Sequence, residues 1–347
     1  MREQIAGATS CGICVNPSSS VAFPKTEFRR ALAPWYRRHG RDLPWRKTRD
    51  PYAILVSEFM LQQTQVATVL PYYDEWLRRF PDFDSLARAS QSDVLHAWQG
   101  LGYYARARNL HAAAKTIARD HDGNFPRDVA QMRAFPGVGR YTANAIATFA
   151  FDESVPLVEA NIARVLARLF DMRHSIDSLI GREKIWRYAD ELLPKRGAAA
   201  HNSALMDLGA LICTARAPKC LSCPVQRLCR AKDPTSLPKK RPQPKIDLRM
   251  EQHAFIFRRD RILLEKSRDR WRGMWILPRR PAPRTRTRPL HLSEFPFTHH
   301  RITLAVFPGA QRSETKHQRW FSIRALDSIP LPSPHRRAIV DLLAQHR

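Results

Sequence analysis

The stretch "FPGVGRYTANAIATFAF", residues 135–151, decides how this chain is to be read. Gly137 and Gly139 bracket one residue, a spacing that permits a tight turn and a close backbone approach to a ligand. A helical pattern follows at once over 141–151, so unpaired N–H groups and the positive end of a helix dipole face whatever docks there. Such a loop, with Val138 and Arg140 completing it, grips a phosphate without reading sequence. GxG before a helix is a weak signal alone. With "MRA" on a short helix just upstream, the loop joins two helices.

Outward from this loop, helical periodicity dominates from Thr26 to about Leu211. "TEFRRALAPWYRRH" opens with Thr26 as an expected cap, and Pro34 predicts an early kink or break. "DPYAILVSEFMLQQ" places Asp50 as a cap and Pro51 at the first helical position. Further helices are expected over 66–80, 93–99, 105–120, 161–170, 182–193 and 203–212, with no convincing strand alternation. This part, 26–230, reads as all-α. "AKDPTSLPKKRPQPKIDL" (231–248) reads as an extended linker, rich in Pro and Lys. Beyond it, 249–347 reads as a smaller α+β domain: "EQHAFIFRRDRILLEKS" and "FTHHRITLAVF" as strands, "RRPAPRTRTRPL" as a basic loop, "SPHRRAIVDLLAQH" as a closing helix. Residues 1–25, with Cys11 and Cys14 in "CGIC", read as a disordered tail.

At 347 residues the chain accommodates two domains with cores, and its 44% hydrophobic content without a long apolar run predicts a soluble globular protein with no transmembrane span. The first two dozen residues lack a signal-peptide pattern, so a cytoplasmic, non-membrane location is expected. The 58 Lys and Arg against 32 Asp and Glu give a net charge of +26, which suits a polyanion, nucleic acid first.

Four of the six cysteines crowd into "CTARAPKCLSCPVQRLC": Cys213, Cys220, Cys223 and Cys229. Thiolates this close on a turn can converge on one inorganic centre, and the spacing is open to zinc or to a four-iron cluster. Two carboxylates attract attention for other reasons. Glu58, in "AILVSEFMLQQ", is an acid among apolar neighbours, where burial raises a carboxyl pKa. Glu159 heads the amphipathic run "PLVEANIARVLARL" and is longer than the usual capping residues. It is therefore either a first-turn residue that favours the helix dipole or a carboxylate aimed elsewhere.

The segments "LPWRKTRDPYAILVSEFMLQQTQVATVLPYY", "GLGYYARARNLH", "FPGVGRYTANAIA", "MDLGALICT" and the cysteine loop occur in this order. In that order the chain resembles MutY-type adenine DNA glycosylases, from about Pro34 to Arg230 and more loosely to the C-terminus. The resemblance implies a mainly α helix-hairpin-helix glycosylase fold with a [4Fe–4S] cluster in the 213–229 loop, held by the four cysteines. A smaller α+β MutT/Nudix-like domain would follow. It implies a monomeric hydrolase that binds double-stranded DNA containing a mispair and removes adenine opposite 8-oxoguanine or guanine.

Residue by residue, the resemblance gives Glu58 the role of protonating adenine and activating water. Glu159, with Asn161 beside it, takes the place where the family stabilises the sugar cation. Tyr141 stands where the related endonuclease III enzymes carry a Schiff-base Lys, and a phenol forms no imine, so no strand cleavage is expected. Arg41, Trp45, Leu61 and Val66 resemble walls of the adenine pocket. Gln63, on the Glu58 helix, resembles a residue that intrudes into the duplex, and Tyr103 resembles the wedge beside the oxidised guanine. Arg106 and the 137–140 loop are expected at the DNA. Thr298 and His299 of "FTHH" resemble the loop that inspects 8-oxoguanine, and "WRGMWILP" resembles the Gly/Trp turn of the same module. No Glu-rich hydrolase helix is present in this module, so recognition rather than hydrolysis is expected of it.

Two positions depart from the pattern. The run "EAN" (159–161) stands where the family has Asp, Gly and Asn, and Ser203 stands where it has Gln or Glu reading the adenine edge. These departures keep open a glycosylase with altered base preference, or a lesion-binding protein with reduced catalysis.

Overall fold

The computed structural model describes residues 23–242, 244–281, 288–310 and 315–345. Cys11 and Cys14, and residues 282–287 of the basic loop, lie outside the described residues.

The helical part contains α1 (Lys25–His39), α2 (Pro51–Leu61), α3 (Val66–Arg79), α4 (Phe83–Arg88), α5 (Gln91–Ala97) and α6 (Ala105–Asp120). It continues with α7 (Val129–Met132), α8 (Arg140–Phe151), α9 (Ala160–Leu169), α10 (Leu179–Leu192) and α11 (Ala198–Asp207), the last running into a π-helical turn at Leu208–Ile212. α2 forms as its sequence demands: the Asp50 carboxylate accepts from the N–H groups of Tyr52 (3.0 Å) and Ala53 (3.2 Å), and Pro51 occupies the first turn. It runs through the core, buried from Tyr52 to Met60. α1 corrects two expectations. It starts at Lys25, with Pro24 rather than Thr26 at the cap, and it passes through Pro34 without ending. Packing of Phe28 and Leu32 against neighbouring helices outweighs the single backbone bond that the proline removes.

The helices enclose two hydrophobic cores. One gathers α2 to α6 around Phe59, Met60, Trp76 and Trp98, and the other gathers α1, α9, α10 and α11 around Phe28, Leu166 and Leu205. α8 lies at the seam, with Ile146 in the first core and Ala145 in the second.

The C-terminal part is β-rich, with more strands than the sequence pattern suggests. Its elements are β1 (Asp247–Phe255), β2 (Phe257–Arg258), β3 (Arg261–Lys266), β4 (Trp275–Ile276), β5 (His291–Phe297), β6 (His300–Pro308), β7 (Gln318–Ser322) and α12 (Ser333–Gln345). β6 is central in one sheet, parallel to β1 and antiparallel to β5. In the other, β3 pairs antiparallel with β2, β4 and β7. Neither β5, which carries Glu294 and Pro296, nor β7, which begins with Gln318 and Arg319, shows a clean apolar alternation in the sequence.

The two parts share one continuous core. The Pro/Lys segment before β1 is fastened rather than free: Lys239 O accepts from Ile176 N (3.0 Å), and Leu237 is buried. "WRGMW" makes one dock, beside bonds at α5 and the turn after it, His96 to Asp327 O (2.7 Å) and Leu331 N to Gln99 Oε1 (3.3 Å). Gly273 sits at φ +87, and a Cβ there would meet Gln91 Oε1 at 3.0 Å and Leu95 Cδ1 at 3.1 Å on α5. Trp271 meets Tyr104 edge-on at 6.1 Å, and Arg108 donates to Arg272 O (3.2 Å).

Gly273→Ala combines a disfavoured backbone with a tight contact, and is expected to cost about 1 kcal/mol or more. The check is the thermal midpoint of the purified variant; an unchanged midpoint would mean that this turn is not what fixes the dock.

Candidate active site

A cavity lies at the seam between the two helical cores. It is lined by Arg41, Leu43, Trp45 and Arg46, by Ile54, Ser57, Glu58, Leu61 and Val66, and by Tyr141, Phe149 and Met206. The four residues expected as pocket walls (Arg41, Trp45, Leu61 and Val66) are thus together with Glu58 and Tyr141. The loop before α2, α2 itself, α8 and α11 each bring part of the lining.

Glu58 is buried on α2, and burial pushes its carboxyl up to about 7. A hydrogen bond from the Tyr141 hydroxyl acts in the opposite direction, Glu159 raises the value further and Arg46 lowers it. Burial and the two acids together drive the Tyr141 hydroxyl far above its ordinary range, so it stays a neutral donor.

Glu159 resolves the alternative posed by its sequence. It is the N-cap of α9, and both carboxylate oxygens are engaged: Asn161 N donates at 2.7 Å and Ile162 N at 2.8 Å. The extended backbone at this residue (φ −113, ψ −178) gives the longer side chain room to fold back. Its carboxyl is nonetheless raised by burial, with the two N–H bonds, Arg164 and Arg41 pulling it down. Capping and proximity to Glu58 coexist. Asn161 Oδ1 accepts from Arg164 (2.7 Å).

Arg46 in the cavity wall and Asp207 behind it escape a reading of the sequence alone. Asp207 is fully buried and accepts from Arg41 N (2.8 Å), Arg41 Nε (2.7 Å), Arg46 Nη1 (2.7 Å) and Arg46 Nη2 (2.8 Å). Burial alone would raise this carboxyl, but its arginine bonds outweigh that and hold it below the usual range. The pair fixes Arg46 close to Glu58. The criterion that found Glu58, an acid in an apolar helix, would also have found Asp207 in "SALMDLGALI". Ser203 is buried but does not line this cavity. It borders a neighbouring one with Tyr36, Trp45, Arg46 and Phe149.

Gln63, Tyr103 and Thr298 share an unusual backbone. Their φ values are +56, +45 and +54, the left-handed region that Gln, Tyr and a β-branched Thr all disfavour. Each such residue costs on the order of 1–3 kcal/mol and marks a functional constraint more often than chance. Gln63 is not on α2, which ends at Leu61; it follows in a turn. Gln63 and Tyr103 line one cleft with Arg270, Trp271 and Phe297 from the β-rich part. Thr298 and His299 form the two-residue tip between β5 and β6.

In the hairpin loop, Gly137 has φ +78 and a Cβ there would stand 2.8 Å from Asn109 Cβ. Gly139 caps α8 without a side-chain acceptor, and a Cβ on it would meet nothing within 4 Å, so the approach is open. Val138 is in the core with its N–H bonded to Phe135 O (3.1 Å), and Arg140 lies over the Trp186 ring at 3.9 Å. Arg106, expected at the DNA, is buried and donates to protein oxygens.

The expected iron–sulfur cluster is corrected. Among the described residues, no group of three or more His, Cys, Asp or Glu side chains is gathered so as to hold a metal ion. Cys213, Cys220, Cys223 and Cys229 are free and half-buried, and burial lifts the Cys223 thiol to about 11. The loop is shaped instead by Arg168, buried on α9, which donates to the carbonyls of Cys213 (3.2 Å), Thr214 (2.7 Å) and Ala215 (3.0 Å). Among the described residues no helix is long and apolar enough to cross a membrane.

Residues 56–191 match the family described as HhH-GPD superfamily base excision DNA repair protein. The chain is 44% identical over 215 residues to an adenine DNA glycosylase of Rattus norvegicus, covering 59% of this chain and 42% of the rat protein. To an adenine DNA glycosylase of Mycobacterium tuberculosis it is 47% identical over 214 residues, covering 60% of this chain and 69% of the mycobacterial one. The chain therefore spans about four-tenths of the mammalian relative's length (42%) and about two-thirds of the mycobacterial relative's (69%). Among solved structures, a thermostable thymine-DNA glycosylase is similar with a TM-score of 0.55 at 32% identity, over 59% of this chain and 95% of that one.

The raised Glu58 carboxyl has a consequence for stability. The folded chain holds this proton from the ordinary carboxyl range up to about 7, while the unfolded chain has released it. Stability from this group is therefore fully present below the unfolded value and is lost as pH rises through the folded one. Glu58→Gln is expected to stabilise the protein at pH 8, by up to about 3 kcal/mol, and to change little near pH 4.5. Thermal midpoints of both proteins at the two pH values test this, and an equal shift at both would contradict it.

Proposed function

Because the chain belongs to the adenine DNA glycosylase family, we propose that it is a monofunctional base-excision glycosylase removing adenine mispaired with 8-oxoguanine or guanine in double-stranded DNA. The observation that carries this reading is the Glu58 carboxyl, desolvated to about 7 and hydrogen-bonded by Tyr141 in a cavity walled by Trp45, Leu61 and Val66.

Hydrolysis of a purine nucleoside bond needs a proton for the departing base and negative charge beside an oxocarbenium-like sugar. Near neutrality Glu58 is poised to supply the proton to the extruded adenine. As a carboxylate it then takes a proton from the attacking water. Glu159 supplies the negative charge, while its bonds to α9 hold it still. Tyr141 holds Glu58 and, lacking an amine, leaves an abasic product without strand cleavage. Base extrusion requires the vacated stack to be filled, a task for Gln63 and Tyr103. The open approach at Gly139 and the charge of +26 fit the phosphate backbone. In this reading, 26–230 is the glycosylase domain, 231–248 a connector and 249–347 a MutT-like module whose Thr298–His299 tip inspects the oxidised guanine.

A second reading keeps the reaction and changes the base. It is favoured by Ser203, which borders the neighbouring cavity and leaves the family's base reader without a counterpart, and by the likeness to a thymine-DNA glycosylase.

Single-turnover cleavage of duplexes carrying 8-oxoguanine or guanine opposite each base separates these readings. Release of adenine alone is expected; release of another base selects the second reading, and tight binding without release overturns both. Borohydride is expected to trap no covalent adduct. Glu58→Gln should lower excision by roughly 10²–10⁴-fold. Glu159→Asp should retain or raise activity, whereas Glu159→Gln, which keeps a capping oxygen but no charge, should lose most of it. A Gln variant as fast as the parent would leave Glu159 as a helix cap only.

A further inference from the structure

Arg106, in the first turn of α6, lies beneath both turns that carry the left-handed residues Gln63 and Tyr103. Its Nη1 donates to Phe59 O and Met60 O, each at 2.7 Å, at the end of α2. Its Nη2 donates to Thr64 Oγ1 at 3.0 Å, immediately after Gln63. The same nitrogen donates to Leu101 O at 2.9 Å and Gly102 O at 3.3 Å, immediately before Tyr103. The guanidinium carbon lies 5.7 Å from the centre of the Tyr103 ring and 5.3 Å from that of Trp98, whose Nε1 also donates to Gly102 O. No carboxylate takes part in these bonds. A buried cation is thus bound by neutral oxygens on two turns.

We propose that Arg106 is a positioning residue that sets the distance and aim of Gln63 and Tyr103, so that both enter the duplex together as the target base is extruded. This inference rests on the glycosylase reading. The physical basis is the planar fork of the guanidinium, whose donors point in fixed directions. One rigid group spans two turns, each holding a side chain in a backbone state it does not favour. Released from the clamp, either turn can relax and swing its side chain out of line. Filling a vacated stack requires the two to act at once. Lys offers a point charge on a flexible stem, and cannot hold both turns in one plane.

The test compares the parent, Arg106→Lys and Thr64→Val, the last cutting the strut from Arg106 to the Gln63 turn together with the longer 3.4 Å bond from the Thr64 hydroxyl to Gln62 O. Two substrates are used: a duplex with the target adenine paired opposite 8-oxoguanine, and the same strand with that adenine opposite an abasic site, where extrusion is already cheap. Single-turnover excision is measured on both, with 2-aminopurine fluorescence at the target position reporting extrusion. On the paired duplex, Arg106→Lys is expected to lose about a hundredfold in rate, as for a side chain misplaced by about 1 Å, together with the fluorescence rise. Opposite the abasic site it should return to within a few-fold of the parent. Thr64→Val should show the same pattern, more weakly, and carries the test alone if Arg106→Lys does not fold. Equal losses on the two substrates, or unchanged rates on both, would overturn the proposal. A parent protein that releases no adenine from either substrate would refute the adenine-glycosylase reading instead.

Discussion

A guanidinium buried without a carboxylate must find carbonyl oxygens, and the carbonyls available to it belong to chain that is neither mid-helix nor mid-strand. This constraint organises the helical half of the protein. Arg106 collects the end of α2 and the two turns that carry Gln63 and Tyr103. Arg168 collects the cysteine loop and, through Leu237 O at 3.1 Å, the segment leading to the β-rich part. Arg164 ties Asn161 to the π-helical turn at Gly209 O (2.8 Å) and to Cys213 O (2.8 Å). Arg29 closes the C-terminal end of α10 through Leu192 O and Leu193 O. Irregular backbone, which would otherwise leave buried acceptors unsatisfied, is held in place by these side chains.

The candidate site depends on that order. Its cavity lies between two hydrophobic cores, and its lining comes from segments far apart in the chain. Glu58 and Glu159 are both desolvated, and the charge of Glu159 further disfavours ionisation of Glu58. The cation that pulls Glu58 down, Arg46, is itself engaged with Asp207. Asp207 thus spares the site a direct ion pair that would pull Glu58 back to an ordinary acid. A carboxyl poised near neutrality results from what surrounds it, as much as from its own burial.

Where sequence reasoning went astray, it misjudged direction rather than residue type. Arg106 was singled out beside "GLGYY", but the glycines turn the chain so that the guanidinium points inward. Val138 lies between two glycines of an exposed loop, yet its side chain enters the core. Arg164 and Arg168 stand on the amphipathic run that Glu159 heads and are both clamps on the cysteine loop. Glu159 looked too long for a cap, and an extended backbone made room for it. Four cysteines in seventeen residues suggested a shared inorganic centre, but spacing along a loop does not fix how closely thiols gather.

Composition, capping residues and periodicity alone determined a basic, mainly helical protein with a smaller C-terminal part. They also marked Glu58 as an acid that burial would perturb, because local chemistry is written in adjacent residues. Tertiary structure decided the rest. It brought Arg41, Arg46 and Asp207 into one ion cluster across more than 160 residues of chain. It set Tyr141 against Glu58, and placed Gln63 and Tyr103 over a single guanidinium. Such pairings depend on which faces of which helices meet, and no short stretch of sequence carries that information.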